Sequence, residues 1–413
     1  MITTTKHKMS SSDVTAAAEL AVASDVDHPR LTDVDREWVN ETIHKITRKM
    51  EWLSEKSADK IPSTTIGGVH DNKRIGDYQE YDGLQWWTNG FWAGMLWLMY
   101  NETGNEKYAL VARQNEAWLD ACFDNFYGLH HDVGFMWLPS AVADYRLTGH
   151  PDARRRGLHA AGLLAGRFNP VGRFIRAWDD QPAGKDDTRG WAIIDCMFNI
   201  PLLYWASEET GDPRFRHIAM MHADTVVENF IRPDGSSEHI VEFDPESGGK
   251  VRAYGGQGYA DGSAWTRGQT WAMYGFVMSY IHTGERRYLD TAKRVARYFL
   301  SHIPESGLIP VDFQQPAEPA LEDSTAAAIA AAGFVELAKH MEGAEQAMYQ
   351  QAGLKLLKVL DEKRCDYSDR QDNFLTHCTG AYHDTYHHVA LIYADYYYLE
   401  ALFKLKGNDV FFW

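Results

Sequence analysis

The stretch Ala326-Ala-Ala-Ile-Ala-Ala-Ala-Gly-Phe334 decides the fold, because it has no polar side chain on any side. A helix that is apolar all round is buried all round. A short stop at Glu342-Gly343 follows it, and residues 344–360 then form a segment with a polar face. This part of the chain is therefore predicted to form a buried inner helix, a turn and an outer helix.

The same order recurs along the chain. Glycine just past a periodic apolar segment indicates a helix C-terminus, because glycine adopts a positive φ without a steric penalty. Such stops occur at Thr103-Gly104, Thr148-Gly149, Thr210-Gly211, Thr283-Gly284, Glu342-Gly343 and Lys406-Gly407. The predicted inner helices cover 91–100, 136–146, 193–206, 271–281, 326–338 and 389–403. The predicted outer helices cover 35–55, 107–123, 152–168, 213–230, 287–303 and 344–360.

Twelve alternating helices predict an all-α fold, the (α/α)6 barrel, as a single domain over residues 31–413. Residues 1–30 are expected to be disordered. The longest connections, at 57–87, 169–190, 231–266 and 361–385, all run from an outer to an inner helix. They should therefore open on one mouth of the barrel, and long loops on a rigid scaffold are where function is expected.

Two carboxylates precede inner helices at this mouth. Asp132 lies in His130-His-Asp-Val-Gly-Phe-Met-Trp, and Asp195 lies in Gly190-Trp-Ala-Ile-Ile-Asp-Cys-Met. The apolar neighbours of Asp195 should raise its pKa, which suits a general acid. Two carboxylates in an aromatic cleft suggest a glycosidase. The alternative is helix capping, since Asp is a favoured cap residue.

The segment 255–271 is rich in glycine and ends in a helix start. It does not match a dinucleotide site, because no strand is expected before it. Arg267 could hold a carboxylate by a two-pronged charge-assisted pair, or form an ordinary salt bridge with Asp261 or a neighbouring residue. His383 and His387 stand four residues apart, but no further ligand spacing supports them, so no metal and no cofactor are predicted.

The composition of the chain disfavours some classes of binding partner. The chain carries 58 acidic and 41 basic residues, a net charge of −17, which disfavours nucleic acid and anionic membranes as partners. The 14 Trp and 21 Tyr residues suit both a large core and a sugar cleft. Four dispersed Cys, with no apparent signal peptide or membrane span, indicate a cytoplasmic protein with reduced thiols. We expect a monomer or homodimer.

Five motifs resemble those of the unsaturated glucuronyl hydrolases, glycoside hydrolase family 88, over about residues 35–405. They are Trp87-Thr-Asn-Gly-Phe-Trp-Ala-Gly-Met-Leu-Trp, His131-Asp-Val-Gly-Phe, Ile194-Asp-Cys-Met-Phe-Asn, Asp261-Gly-Ser-Ala-Trp-Thr-Arg-Gly-Gln and Asp323-Ser-Thr-Ala-Ala-Ala. The resemblance implies an (α/α)6 barrel. It also implies hydration of the 4,5-double bond that polysaccharide lyases leave on a terminal uronic acid, in place of displacement at the anomeric carbon.

By this resemblance Asp195 is the general acid/base and Asp132 the second essential carboxylate. Substrate-binding residues are implied at Trp87, His239, Gln257, Trp265, Arg267 and Trp271. The segment 376–386 contains no Lys or Arg, which favours unsulfated or lightly sulfated disaccharides from hyaluronan or chondroitin.

Three other functions fit the sequence less well. An unsaturated rhamnogalacturonyl hydrolase would share the barrel and the chemistry but act on pectin fragments. An inverting glycosidase would cleave saturated substrates. A sugar-binding protein without activity is disfavoured by the presence of both Asp132 and Asp195.

Overall fold

The computed structural model describes residues 31–76, 82–125, 128–179, 187–408 and 411–413. The predicted disordered segment 1–30 lies outside these residues. The helices are α1 (Asp33–Lys56), α2 (Phe91–Thr103), α3 (Glu106–Leu119), α4 (Ala121–Asn125), α5 (Val133–Trp137), α6 (Ala143–Thr148), α7 (Pro151–Gly166), α8 (Pro201–Thr210), α9 (Pro213–Asn229), α10 (Thr266–Thr283), α11 (Arg286–His302), α12 (Ser324–Ala338), α13 (Gly343–Lys363) and α14 (Ile392–Lys406).

The inner helices form a closed ring, which confirms the (α/α)6 barrel. Helix α2 packs beside the α5–α6 segment, α5 beside α8, α8 beside α10, α10 beside α12 and α12 beside α14, and α14 returns to α2. Outer helices cover this ring, for example α3 on α2, α11 on α10 and α13 on α12. Every residue of α12 is buried, as its apolar sequence predicts.

Glycine ends most of the inner helices. Left-handed glycines follow α2, α6, α8, α10 and α14, at Gly104, Gly149, Gly211, Gly284 and Gly407. The prediction for Gly343 is wrong: α12 already ends at Ala338, and Gly343 instead begins α13.

The second and third inner helices are irregular because of proline. Pro139 lies in a π-helical segment, Leu138–Val142, that joins α5 to α6. Proline cannot donate to the helical ladder, and a π turn absorbs the missing bond. Pro201 begins α8, and a 3-10 turn, Ile194–Phe198, precedes it. The predicted helix start at residue 193 is wrong, since Ile193 ends a strand.

Within the described parts of the connections, eight short strands lie at the mouth. They are β1 (Thr64–Ile66), β2 (Val69–His70), β3 (Phe168–Asn169), β4 (Phe174–Ile175), β5 (Trp191–Ile193), β6 (Ile240–Phe243), β7 (Lys250–Tyr254) and β8 (Ala390–Leu391). The largest antiparallel set has the order β5-β6-β7. The expectation of no strand before the glycine-rich segment is therefore wrong, because β7 ends directly before Gly255.

The described helices include none long and apolar enough to cross a membrane. The four cysteines, all of which are described, form no disulfide bond. Aromatic side chains fill the barrel axis beneath the mouth. There Phe135 and Phe198 lie next to each other, with ring centroids 5.9 Å apart, and Trp413 contacts both of them. Phe135 and Phe198, which follow Asp132 and Asp195 by three positions, thus pack in one aromatic cluster.

Candidate active site

A cavity of about 440 Å³ opens at the mouth. Five of the predicted site residues line it: Trp87, Asp132, Asp195, His239 and Gln257. The sequence therefore predicted the placement of both carboxylates in one cavity from two separate loops. The other lining residues are Trp86, His130, His131, Trp178, Asp179, Ile193, Ile240 and Gly256.

Asp132 stands at the N-cap position of α5, but its side chain makes no capping hydrogen bond to the described backbone. It is buried, with 8% of its surface exposed. Its Oδ1 lies 3.1 Å from Nε2 of His131, and its Oδ2 lies 3.4 Å from Nδ1 of His130. The capping alternative thus has no hydrogen bond to support it, and the carboxyl group faces the cavity.

The neighbours of Asp132 favour its protonated form. Burial and the charge of Asp195 raise its pKa well above the usual value. Nδ1 of His131 donates to the carbonyl of Ala177 at 2.8 Å, and burial keeps this imidazole neutral by lowering its pKa. The unprotonated Nε2 therefore faces Asp132, and a protonated carboxyl group complements this lone pair.

Asp195 lies in the 3-10 turn before α8. Its side chain is 15% exposed, and its Oδ1 has no hydrogen-bond partner within the described part of the chain. Burial raises its pKa to about 7, although Arg267 acts in the opposite direction. A carboxyl group with this pKa can both give and take a proton near neutral pH.

His239 presents an N–H group to Asp195. Nδ1 lies 2.9 Å from the backbone nitrogen of Gln257 and 3.2 Å from the carbonyl oxygen of Gly255. The first contact needs an unprotonated Nδ1 and the second a protonated one, so a neutral ring makes only one of these hydrogen bonds. The shorter contact, in which the N–H of Gln257 donates, assigns the proton to Nε2. This Nε2 lies 3.8 Å from Oδ1 of Asp195. Burial lowers the pKa of His239 to about 3, so it acts as a neutral donor. Gly256 has φ +57°, and a Cβ there would come within 2.1 Å of the His239 ring.

Asn199 joins the two carboxylate segments, and sequence reasoning missed it. Its Nδ2 lies 3.4 Å from Oδ1 of Asp132 and donates to the carbonyl of Asp195 at 3.2 Å. Its Oδ1 accepts the N–H of Phe135 at 2.8 Å. Gly134 permits this approach, because a Cβ there would lie 2.5 Å from Cα of Asn199. The signal in the sequence was its position, one helical turn after Asp195.

Three predicted binding residues lie behind the cavity wall. Trp265 packs its ring on His239 at 4.2 Å and on the guanidinium group of Arg267 at 4.6 Å. Trp271 is fully buried against Phe198, with ring centroids 4.7 Å apart. None of the three is among the lining residues of the cavity.

Arg267 forms a salt bridge, but its partner is Asp323. The alternative prediction had named Asp261 or a neighbouring residue as the partner. It also donates to the backbone carbonyls of Thr379 and Gly380. Asp261 instead accepts the N–H of Gly255 at 2.7 Å. Arg267 thus holds the 376–386 loop against α10 and brings positive charge to the rear of Asp195.

Two groups of histidine residues are the candidates for metal ligands. His383 and His387 contact backbone carbonyls, those of Tyr259 and Tyr382. Among the described residues, only His130, His131 and Asp132 place ligand atoms close enough together to hold a metal ion. One nitrogen of His131 is already engaged with Ala177, and the group lines the same cavity.

Comparison with known proteins agrees with the fold and the cavity. The family model for Glycosyl Hydrolase Family 88 matches residues 53–406. An unsaturated glucuronyl hydrolase from Bacillus sp. strain GL1 is 40% identical over 374 residues, covering 87% of this chain and 94% of the relative. An unsaturated chondroitin disaccharide hydrolase from Streptococcus pneumoniae strain R6 is 34% identical, covering 92% and 94%.

A solved structure shows the same architecture. The crystal structure of the Bacillus sp. GL1 unsaturated glucuronyl hydrolase superposes with a TM-score of 0.82 at 35% sequence identity. The match covers 90% of this chain and 97% of the solved one. Since the family model and these relatives span most of its length, the chain belongs to glycoside hydrolase family 88 and is a glycosidase of the unsaturated glucuronyl hydrolase group.

Proposed function

We propose that this enzyme removes the 4,5-unsaturated uronic acid from the non-reducing end of lyase-generated glycosaminoglycan disaccharides by hydrating the double bond. The observation that carries the proposal is the pair Asp132 and Asp195, of which the first is buried and the second is partly buried, both in one aromatic-walled cavity and both with raised pKa values. The similarity to a glucuronyl hydrolase and a chondroitin disaccharide hydrolase supports it over action on pectin fragments.

The reaction begins with a proton transfer. Protonated Asp195 gives its proton to C4 of the unsaturated ring, and positive charge develops at C5, where the ring oxygen stabilises it. A water molecule then bonds to C5 and loses a proton to the Asp195 carboxylate, which restores the acid. His239 supports this cycle, because its Nε2–H faces the carboxylate oxygen that gains negative charge.

The product of hydration is unstable. C5 now carries both a hydroxyl group and the ring oxygen, as a hemiketal. The C5–O5 bond breaks to leave a ketone at C5 and a hemiacetal at C1, and the hemiacetal releases the remaining sugar as an alcohol. The net change is the addition of one water, so the separation of the two carboxyl groups does not decide between retention and inversion, as it does for displacement at the anomeric carbon.

Asp132 holds the substrate and the water in this scheme. A protonated carboxyl group next to neutral histidines adds no charge repulsion to an anionic substrate. Arg267 acts from behind the wall as a fixed positive charge that offsets the substrate carboxylate. Trp87 offers an apolar ring to the sugar face, whereas Trp265 and Trp271 keep the wall in position.

The preferred substrates carry little sulfate. The loop 376–386 contributes carbonyl groups to Arg267 and Gln257, and it contains no Lys or Arg that could meet a sulfate group. We therefore propose disaccharides from hyaluronan and unsulfated chondroitin as the best substrates. Four cysteines without a disulfide bond suit a reducing compartment, so we place the reaction in the cytoplasm. We expect a monomer or homodimer.

A direct assay tests the function. Unsaturated disaccharides from hyaluronan, unsulfated chondroitin and rhamnogalacturonan are incubated with the enzyme, and the ultraviolet absorbance of the conjugated double bond is followed. We expect the absorbance to fall with the first two. A fall with the pectin fragment alone would move the enzyme to a different substrate class. Cleavage of saturated glucuronides without any such fall would refute the hydration mechanism.

A further inference from the structure

One face of the β5-β6-β7 sheet continues the wall of the cavity. Side chains of directly paired residues point to the same face of a sheet. Ile193 pairs with Ile240, and Ile240 pairs with Tyr254. The two isoleucines line the cavity, so Tyr254 belongs to the same face. This row of three is the part of the sheet closest to the catalytic pair.

A second row lies two residues further along each strand. Trp191 pairs with Glu242, and Glu242 pairs with Arg252. Alternation along a strand places this row on the same face as the first, displaced by about 7 Å. The opposite face, with Ala192 and Val241, is buried in the core.

Exposure increases along this face with distance from the cavity. Ile193 and Ile240 are buried, Trp191 and Tyr254 are half-buried, and the side chain of Arg252 is 64% exposed. Trp178, which lines the cavity, stands edge-on to Trp191 at 6.2 Å. A continuous aromatic surface therefore leads from the catalytic carboxylates toward solvent.

The second row, which is the outer one, and the adjacent Tyr254 of the first row combine the groups that anionic sugars need. Trp191 and Tyr254 have ring centroids 5.0 Å apart, and the Arg252 guanidinium lies 4.2 Å from the Tyr254 ring. Glu242 accepts from Nε of Arg252 at 3.1 Å and from the hydroxyl group of Tyr254. These contacts hold the rings and the guanidinium group in fixed orientations before any ligand binds.

We propose that Trp191 and Arg252 of the outer row, together with Tyr254 of the first row, form a binding site for the third sugar of longer unsaturated oligosaccharides. The inference rests on the proposed function, since the unsaturated sugar must occupy the cavity and direct the rest of the chain outward. Trp191 stacks on the apolar face of the ring, and Arg252 meets the carboxylate of a uronic acid. The enzyme would thus favour tetrasaccharides over disaccharides.

The test compares two probes, the unsaturated disaccharide and the unsaturated tetrasaccharide of unsulfated chondroitin. With the native enzyme, we expect KM for the tetrasaccharide to be about tenfold lower than for the disaccharide. Trp191→Ala should raise the tetrasaccharide KM about tenfold and leave the disaccharide KM unchanged. Trp191→Phe, which keeps a flat ring, should restore most of the preference. Arg252→Ala, on the exposed edge strand, should raise only the tetrasaccharide KM, by about threefold.

Trp52→Ala, a partly buried tryptophan of α1 on the outer ring, serves as the matched control and should change neither KM. Melting temperatures show whether each variant is folded. If Trp191→Ala is unfolded, Arg252→Ala decides the question. Equal KM values for both probes, or variants that weaken both probes alike, would overturn the third-sugar site while leaving the function intact. Absence of turnover of the disaccharide by the native enzyme would overturn the proposed function and this site together.

Discussion

Buried carboxylates occur at both ends of the barrel, and their surroundings differ in kind. At the mouth, Oδ1 of Asp195 has no hydrogen-bond partner among the described residues, and its pKa is raised to about 7. At the base, Glu336 contacts the ammonium group of Lys404 and that of Lys339 at 3.2 Å. Burial alone would raise the pKa of Glu336, but Lys404, His340 and Lys339 hold it well below its usual value.

The difference separates function from stability. The base surrounds its carboxylate with positive charge, so the ionised form is the stable one and contributes to folding. The mouth leaves its carboxyl group unpaired, so ionisation there costs free energy and the proton is available for chemistry. The same substitution of carboxylate by amide should therefore have opposite consequences at the two ends.

The largest expected effect is the loss of turnover in Asp195→Asn. The amide cannot give a proton to C4, so kcat should fall by about 10³-fold or more, measured by the ultraviolet assay. The unfolded Asp ionises near its ordinary pKa and the folded one only near 7, so above pH 7 the folded state bears the full cost of this charge. Removing the charge should keep or raise the melting temperature at pH 8. A variant with near-native kcat would contradict the assignment of Asp195 as the acid.

Glu336→Gln is the matched variant at the base, with the next largest effect. It leaves Lys404 buried without its main counter-charge, which should lower the free energy of unfolding by about 3 kcal/mol. We expect a fall of about 4 °C in the melting temperature, followed by circular dichroism. Below that temperature kcat/KM should match the native enzyme, because Glu336 lies at the C-terminal end of α12, away from the mouth. A loss of activity with unchanged stability would contradict the assignment of Glu336 to stability alone.

The two ends also differ in how far they could be predicted from the sequence. Glycine caps such as Gly104 and Gly284 follow local rules, so the repeat and the barrel were predictable. The convergence of Asp132 and Asp195 followed from the barrel, because their helices start at one mouth. The short strands β5 and β7 were missed, because three to five residues carry little periodicity.

Partners distant in sequence were the main omission. Arg267 pairs with Asp323, which lies 56 positions away, whereas the sequence suggested the nearer Asp261. Asn199 spans 67 positions to reach Asp132. Such contacts depend on how neighbouring helices are rotated in the ring, and no local pattern encodes that rotation. The roles of individual side chains at the mouth therefore remain predictions, although the location of the mouth did not require the structure.

The smallest expected effect is the dependence of kcat on pH. It should depend on Asp195 and not on Glu336. If protonated Asp195 supplies the proton, kcat should fall about tenfold per pH unit above its pKa of about 7. Of the charged and titratable groups that face it, His239 is already neutral and Arg267 stays charged in this range, and the raised pKa of Asp132 favours its protonated form. Glu336→Gln should keep the same alkaline limb, since Glu336 is ionised throughout. If the alkaline fall of kcat occurred at a different pH in Glu336→Gln, the base of the barrel would control the proton at the mouth. A kcat independent of pH from 6 to 9 would exclude Asp195 as the group that titrates.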